Sequence, residues 1–166
     1  MDGKKLYEIG MAEYDKKNFK AAAENLELSA KAGFQSAFGI LYTLYTTPNE
    51  FKETHKEFRE LVSVLKEYAV EHKNVLAALF LAINTGSEEE LDNALETAEK
   101  ESESMHGNKH QLLGPTYIQV GLAYTQKNAP KSKREACLEG LRGYANKVGA
   151  QQLLDMLPMI ASQFGV

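Results

Sequence analysis

An all-α fold is predicted for this chain: a superhelix, or solenoid, of antiparallel helix pairs with about nine helices. Three observations predict it. The first is composition. Of 166 residues, 74 are Ala, Leu, Glu or Lys and only 12 are Val or Ile, a balance that favours helix and disfavours sheet. The second is periodicity, since apolar residues recur three and four positions apart between well-marked breaks. The third is a degenerate self-similarity along the chain, the sign of stacked repeats.

The breaks fall at Gly33, Pro48, Gly86, Gly114–Pro115, Pro130 and Gly149, the residues that most often interrupt helices. They predict helices at 3–17, 19–32, 35–46, 49–71, 74–85, 87–105, 115–127, 131–147 and 150–163. Several starts and stops have a local cause. Gly33 is placed to end the second helix in a left-handed turn. Thr47 or Asn49 is placed to cap the fourth, after Pro48. Ser87 with Glu90 three residues on forms a capping box, and Glu88–Glu90 suit the positive end of the helix dipole. Pro115 suits a first turn, where a missing N–H costs nothing. The polar stretches 101–114 and 126–133 are expected to be the soft corners of one domain spanning 1–166.

Composition also excludes. One Cys and no Trp rule out a disulfide scaffold. The longest apolar run, Val75 to Ile83, falls far short of the roughly 20 residues of a membrane span. The N-terminal residues lack the apolar region of a signal peptide, and a cytoplasmic protein is expected. Net charge is −4, unevenly spread: −8 over residues 1–107 and +4 over 108–166. That field is too weakly basic for nucleic acid. Lys127, Lys131, Lys133 and Arg134 are read as a solvated loop.

The repeat signal rests on particular residues. Ile9-Gly10 and Phe19 are followed by Ala22-x3-Leu26-x2-Ser29-Ala30-x2-Gly33, then by Ala37, Leu41 and Tyr45. Phe38-Gly39-x2-Tyr42 and Val120-Gly121-x2-Tyr124 share one signature. Between them, Leu79-x2-Ala82-x3-Gly86-x4-Leu91-x3-Leu95-x2-Ala98 matches a whole helix pair. The pattern resembles the tetratricopeptide repeat, in particular its Sel-like subclass, with Ser29 standing where the first Ala of a pair is usual. The resemblance implies helix pairs near 3–33, 35–71, 74–105 and 115–147, closed by a capping helix at 150–163. Gly10, Gly39 and Gly121 are expected where helices approach closely. Gly140 and Gly143 stand where the family has a large residue and Ala.

Stacked pairs leave a curved surface lined by their first helices. Counting from the small residue of each first helix places Tyr7, Met11, Tyr14, Ile40, Leu44, Phe80, Ile83, Ile118 and Leu122 on it. Such a surface is apolar and aromatic. Relatives that clamp a C-terminal carboxylate carry Lys and Asn where Tyr7 and Met11 stand here. The implied partner is therefore an amphipathic helix or extended apolar segment of another protein. The implied role is non-enzymatic, as adaptor, chaperone-like holder or regulatory subunit, with no cofactor.

Two other readings compete. Glu99, Glu103, His106 and His110, spaced four, three and four apart, share one face if the helix continues and would suit zinc or iron in a metal-dependent helical enzyme or sensor. Against them, Gly107 and Asn108 are placed to end that helix. The last helix, with Leu153, Leu154, Leu157, Met159, Ile160 and Phe164, reads as a cap, but it would equally serve a homodimer. Cys137 has no His near it in sequence and reads as core rather than as a nucleophile. The tyrosines of the first helices are expected to pack seams with their hydroxyls in water.

Overall fold

The computed structural model of the protein describes residues 1–103 and 112–166. Those residues form nine helices and no strand: α1 (Gly3–Asp15), α2 (Phe19–Lys31), α3 (Ala37–Thr46), α4 (Phe58–Val70), α5 (Val75–Thr85), α6 (Glu88–Glu103), α7 (Leu113–Gln126), α8 (Lys131–Val148) and α9 (Gln151–Gln163). The all-α class is as predicted, with helices that follow one another in sequence packing together. No helix among the described residues is long and apolar enough to cross a membrane. The chain divides into two compact units, Met1–Leu81 and Ala82–Val166.

In the first unit α1 packs on α2, and α2 on α3. Gly10 makes the first pairing close, because a Cβ there would lie 2.9 Å from Leu26 Cγ. The turn after α2 closes through two backbone bonds, Gly33 N–H to Ala30 O at 3.0 Å and Phe34 N–H to Ser29 O at 3.1 Å. Gly33 has φ +94°, which is why a glycine ends this helix. Ser29 has a visible structural role. Fully buried, it donates its hydroxyl to the Gly3 carbonyl at 2.6 Å and ties α2 to the start of α1. Gln35, also buried, accepts from Val75 N–H at 2.7 Å and donates to the Lys73 carbonyl at 3.1 Å. Asn74 caps α5 by accepting from Ala77 N–H at 3.0 Å. The core around these joints holds Leu26, Phe38, Leu41, Leu65 and Ala77.

The fourth helix is a correction. It spans 58–70 rather than 49–71, and neither Thr47 nor Asn49 caps it. Phe51 is the only large apolar residue of 49–57, so no stripe exists there to pack as a helix. Instead the segment wraps Phe51 inward. Thr54 donates its hydroxyl to the Leu44 carbonyl at 2.8 Å, and Lys56 N–H bonds Tyr45 O at 2.9 Å. Those bonds use the last carbonyls of α3, which a continuing helix would have used otherwise.

In the second unit α7 packs on α6, α8 and α9, and α8 also on α9. Ser87 caps α6 as predicted, accepting from Glu90 N–H at 3.2 Å. Rings seat against glycines. A Cβ on Gly114 would lie 2.5 Å from the Tyr144 ring, and one on Gly140 or Gly121 would overlap the ring of Tyr117 or Phe164. Gly140 thus leaves room for Tyr117. Gly39 needs no such explanation, because its nearest neighbour would be an ordinary 3.7 Å away. The close approach expected there is absent. α9 buries Leu157 and Ile160, and Phe164 just past its end is also buried, while Met159 remains 51% exposed. The soft corner at 126–133 is bonded, with Ala129 buried and its N–H on Tyr124 O at 2.9 Å. The other corner, 101–114, lies partly outside the described residues.

Candidate partner-binding groove

Within the first unit, the aromatic residues predicted for a binding surface pack ring against ring. Tyr7 lies 5.0 Å from Phe34, Tyr14 lies 5.4 Å from Phe19, and Phe80 stacks on Tyr42 at 3.9 Å. With Met11 and Ile40 they are half-buried, so each presents only part of its surface. Leu44 is fully buried in the core and cannot meet a partner. It lies on the side of α3 that holds Leu41 and Tyr45, a face that counting from Gly39 alone did not separate from the outer one.

Within the second unit the prediction finds an opening. Ile83 and Leu122 line a groove of about 250 Å³, with Ala82, Gly86, Gln119, Ala123, Gln126 and Lys127. Ile83 is 45% exposed. Ile118 is half-buried on α7 outside the lining. The floor is aliphatic, and the polar groups at its edge are two amides and one ammonium. Apolar counting missed Gln119, Gln126 and Lys127. A signal was present, because Gln119 and Gln126 are seven apart with Leu122 and Ala123 between them, and seven residues are two helical turns.

The other members of the predicted basic loop have internal partners. Lys131 lies 3.5 Å from Glu135. Arg134 donates to the carbonyls of Phe164 at 2.7 Å and Ala129 at 3.3 Å. Lys133 bonds Glu88 and, at 2.8 Å, Asp92. The Lys133 and Arg134 contacts tie α8 to α6 and to the residues after α9, whereas the Lys131–Glu135 pair is an exposed one within α8.

Three tyrosine hydroxyls, those of Tyr45, Tyr117 and Tyr124, turn to carboxylates. Tyr124 of α7 donates to Asp92 of α6, and Tyr117 donates to Glu99. Both pairs join α6 to α7, in the register expected of antiparallel neighbours. In the first unit Tyr45 donates to Glu27 at 2.6 Å. Burial first, and the facing carboxylate second, push the Tyr45, Tyr117 and Tyr124 hydroxyls far above the ordinary tyrosine range. They stay protonated and serve as fixed donors.

Asp92 has a measurable consequence. Burial works to raise its pKa, but the hydrogen bonds from Lys133 and Tyr124 outweigh it and leave the value below the ordinary 3.8. A depressed folded value stabilises the fold above the unfolded value, and that contribution is lost as pH falls through the folded one. Asp92→Asn is therefore expected to lower stability near neutral pH and to flatten its dependence below about pH 4. Urea unfolding of both proteins across that range checks this, and parallel acid curves would refute it.

Of the predicted metal ligands, Glu99 is engaged with Tyr117. His106, His110 and the side chain of Glu103 lie outside the described residues. The sequence did not suggest Glu67, Glu71 and His72, whose ligand atoms lie within 4.8 Å of one another at the end of α4. The two carboxylates are exposed, and Lys31 stands 3.9 Å from Glu67 as a competing cation. Cys137 is fully buried, and desolvation followed by the charges of Glu99 and Asp92 pushes its thiol up to about 12. It is inert packing.

No protein-family model, curated protein or solved structure gives a significant match to the chain.

Proposed function

We propose that the chain is a non-enzymatic protein-interaction module of the cytoplasm, an adaptor, chaperone-like holder or regulatory subunit built on degenerate tetratricopeptide or Sel-like repeats. The exposed Ile83 beside Leu122 carries this reading. A groove of about 250 Å³ is smaller than the roughly 300–1,000 Å³ of small-molecule sites. Its size suits one or two apolar side chains of a partner. Their burial would remove Ile83 from water, a gain of roughly 1 kcal/mol or more for such a side chain.

The test uses peptides selected on the protein from a displayed random library. Ile83→Asp and Leu122→Asp are each expected to weaken a selected peptide by about tenfold or more, with thermal stability nearly unchanged. Peptides that bind both variants as well as the parent would end this reading.

A further inference from the structure

Among the described residues, the basic loop contains one cation without a bonding partner. Lys131, Lys133 and Arg134 all have bonding partners within the second unit. The Lys127 ammonium has no hydrogen bond or ion pair among the described residues. It lies over the end of α5, where a Cβ on Gly86 would come within 3.0 Å of Nζ. The same residue lines the groove, and no carboxylate does. Among the described residues the groove thus pairs aliphatic side chains with one ammonium that has no anionic partner.

Its other polar groups narrow the occupant further. Gln119 and Gln126 are exposed and seven residues apart on α7, a separation of about 10 Å along the axis. Each side-chain amide offers both a donor and an acceptor. A helical partner has already satisfied its backbone groups internally. An extended segment has not, and two amides flanking an apolar floor match its free N–H and C=O groups.

We propose that this groove takes an extended internal segment of a partner protein in which an apolar residue is flanked by Asp or Glu. The apolar side chain rests on Ile83 and Leu122. The partner's side-chain carboxylate pairs with Lys127, and the two glutamines hold its backbone. The proposal rests on the interaction reading above and names the partner chemistry for that site.

The experiment uses the full chain and a peptide selected from the displayed random library. Selected peptides are expected to carry an acidic residue beside a Leu, Ile or Phe. Lys127→Ala is expected to weaken binding by roughly three- to tenfold and Lys127→Glu by more, as for a partly exposed ion pair. Lys127→Arg should keep most of the affinity, and the losses should shrink as salt rises. Replacing the peptide's acid by its amide should cost the parent protein affinity but leave Lys127→Ala unaffected, because the pair is already broken. Amidation of the peptide C-terminus should change nothing. Binding that Ile83→Asp abolishes but that is indifferent to Lys127→Glu and to the peptide's acid would overturn the carboxylate pairing while keeping the groove. Dependence on a free C-terminus, or a peptide that binds as a helix by circular dichroism, would overturn the extended internal segment. Binding indifferent to Ile83→Asp would remove the interaction reading and this proposal together.

Discussion

Phe38→Ala is expected to cost the protein about 3–5 kcal/mol, the range for deleting a fully enclosed aromatic side chain. Phe38 has no exposed surface and is among the largest buried side chains. Its ring lies 4.8 Å from that of Tyr68 and 6.3 Å from that of Phe80. Phe80 in turn stacks on Tyr42. Removing Phe38 therefore takes away one ring of a connected set that joins α3, α4 and α5, and leaves a void those helices close only in part. Chemical unfolding measures the loss directly. A change of less than about 1 kcal/mol would mean that the site collapses freely and that the ring cluster does not organise the first unit.

Gly121→Leu is expected to be the most disruptive small-to-large change in the second unit. A Cβ at this position already overlaps the ring of Phe164, which is fully buried. Phe164 is also held through its carbonyl, which accepts from Arg134 at 2.7 Å. Leaving glycine within a helix would by itself gain about 1 kcal/mol. Overpacking costs about 1–3 kcal/mol and occasionally more, and here the overlap begins at the first side-chain atom. A net drop in melting temperature of several degrees is expected. The control is Phe164→Ala in the same chain: the double variant should lose less than the sum of the single losses, because the deleted ring makes room for the leucine. A Gly121→Leu protein as stable as its parent would show that α9 does not dock through this contact.

The positions of the helices were largely legible. Ser87 with Glu90 marked the start of α6, Gly33 the end of α2, and the three-and-four spacing the rest. These are signals within a turn or two of the chain, where local chemistry decides. The error at 49–57 had a different source. That segment carries charges compatible with helix but a single large apolar residue, and the burial of Phe51 together with bonds to the carbonyls of Leu44 and Tyr45 holds it otherwise. The site was half legible. Ile83 and Leu122 were found by counting along first helices. Leu44 was misplaced by the same count, and Lys127 was grouped with cations that prove to be engaged elsewhere.

By itself the sequence determined that this chain is helical, where most helices begin and end, and which residues form their apolar stripes. Those properties follow from backbone propensity, capping and a period of 3.6 residues, all of which act between near neighbours. Tertiary structure alone decided which apolar side chains stay open, since exposure depends on which stripe is covered by another helix. It decided that Tyr124 meets Asp92 and that Phe164 meets Gly121, partners 32 and 43 residues apart in sequence. It also left Lys127 lining a groove with no bonding partner among the described residues. Pairings over such separations come from the stacking of whole helices, and no short window of the chain encodes them.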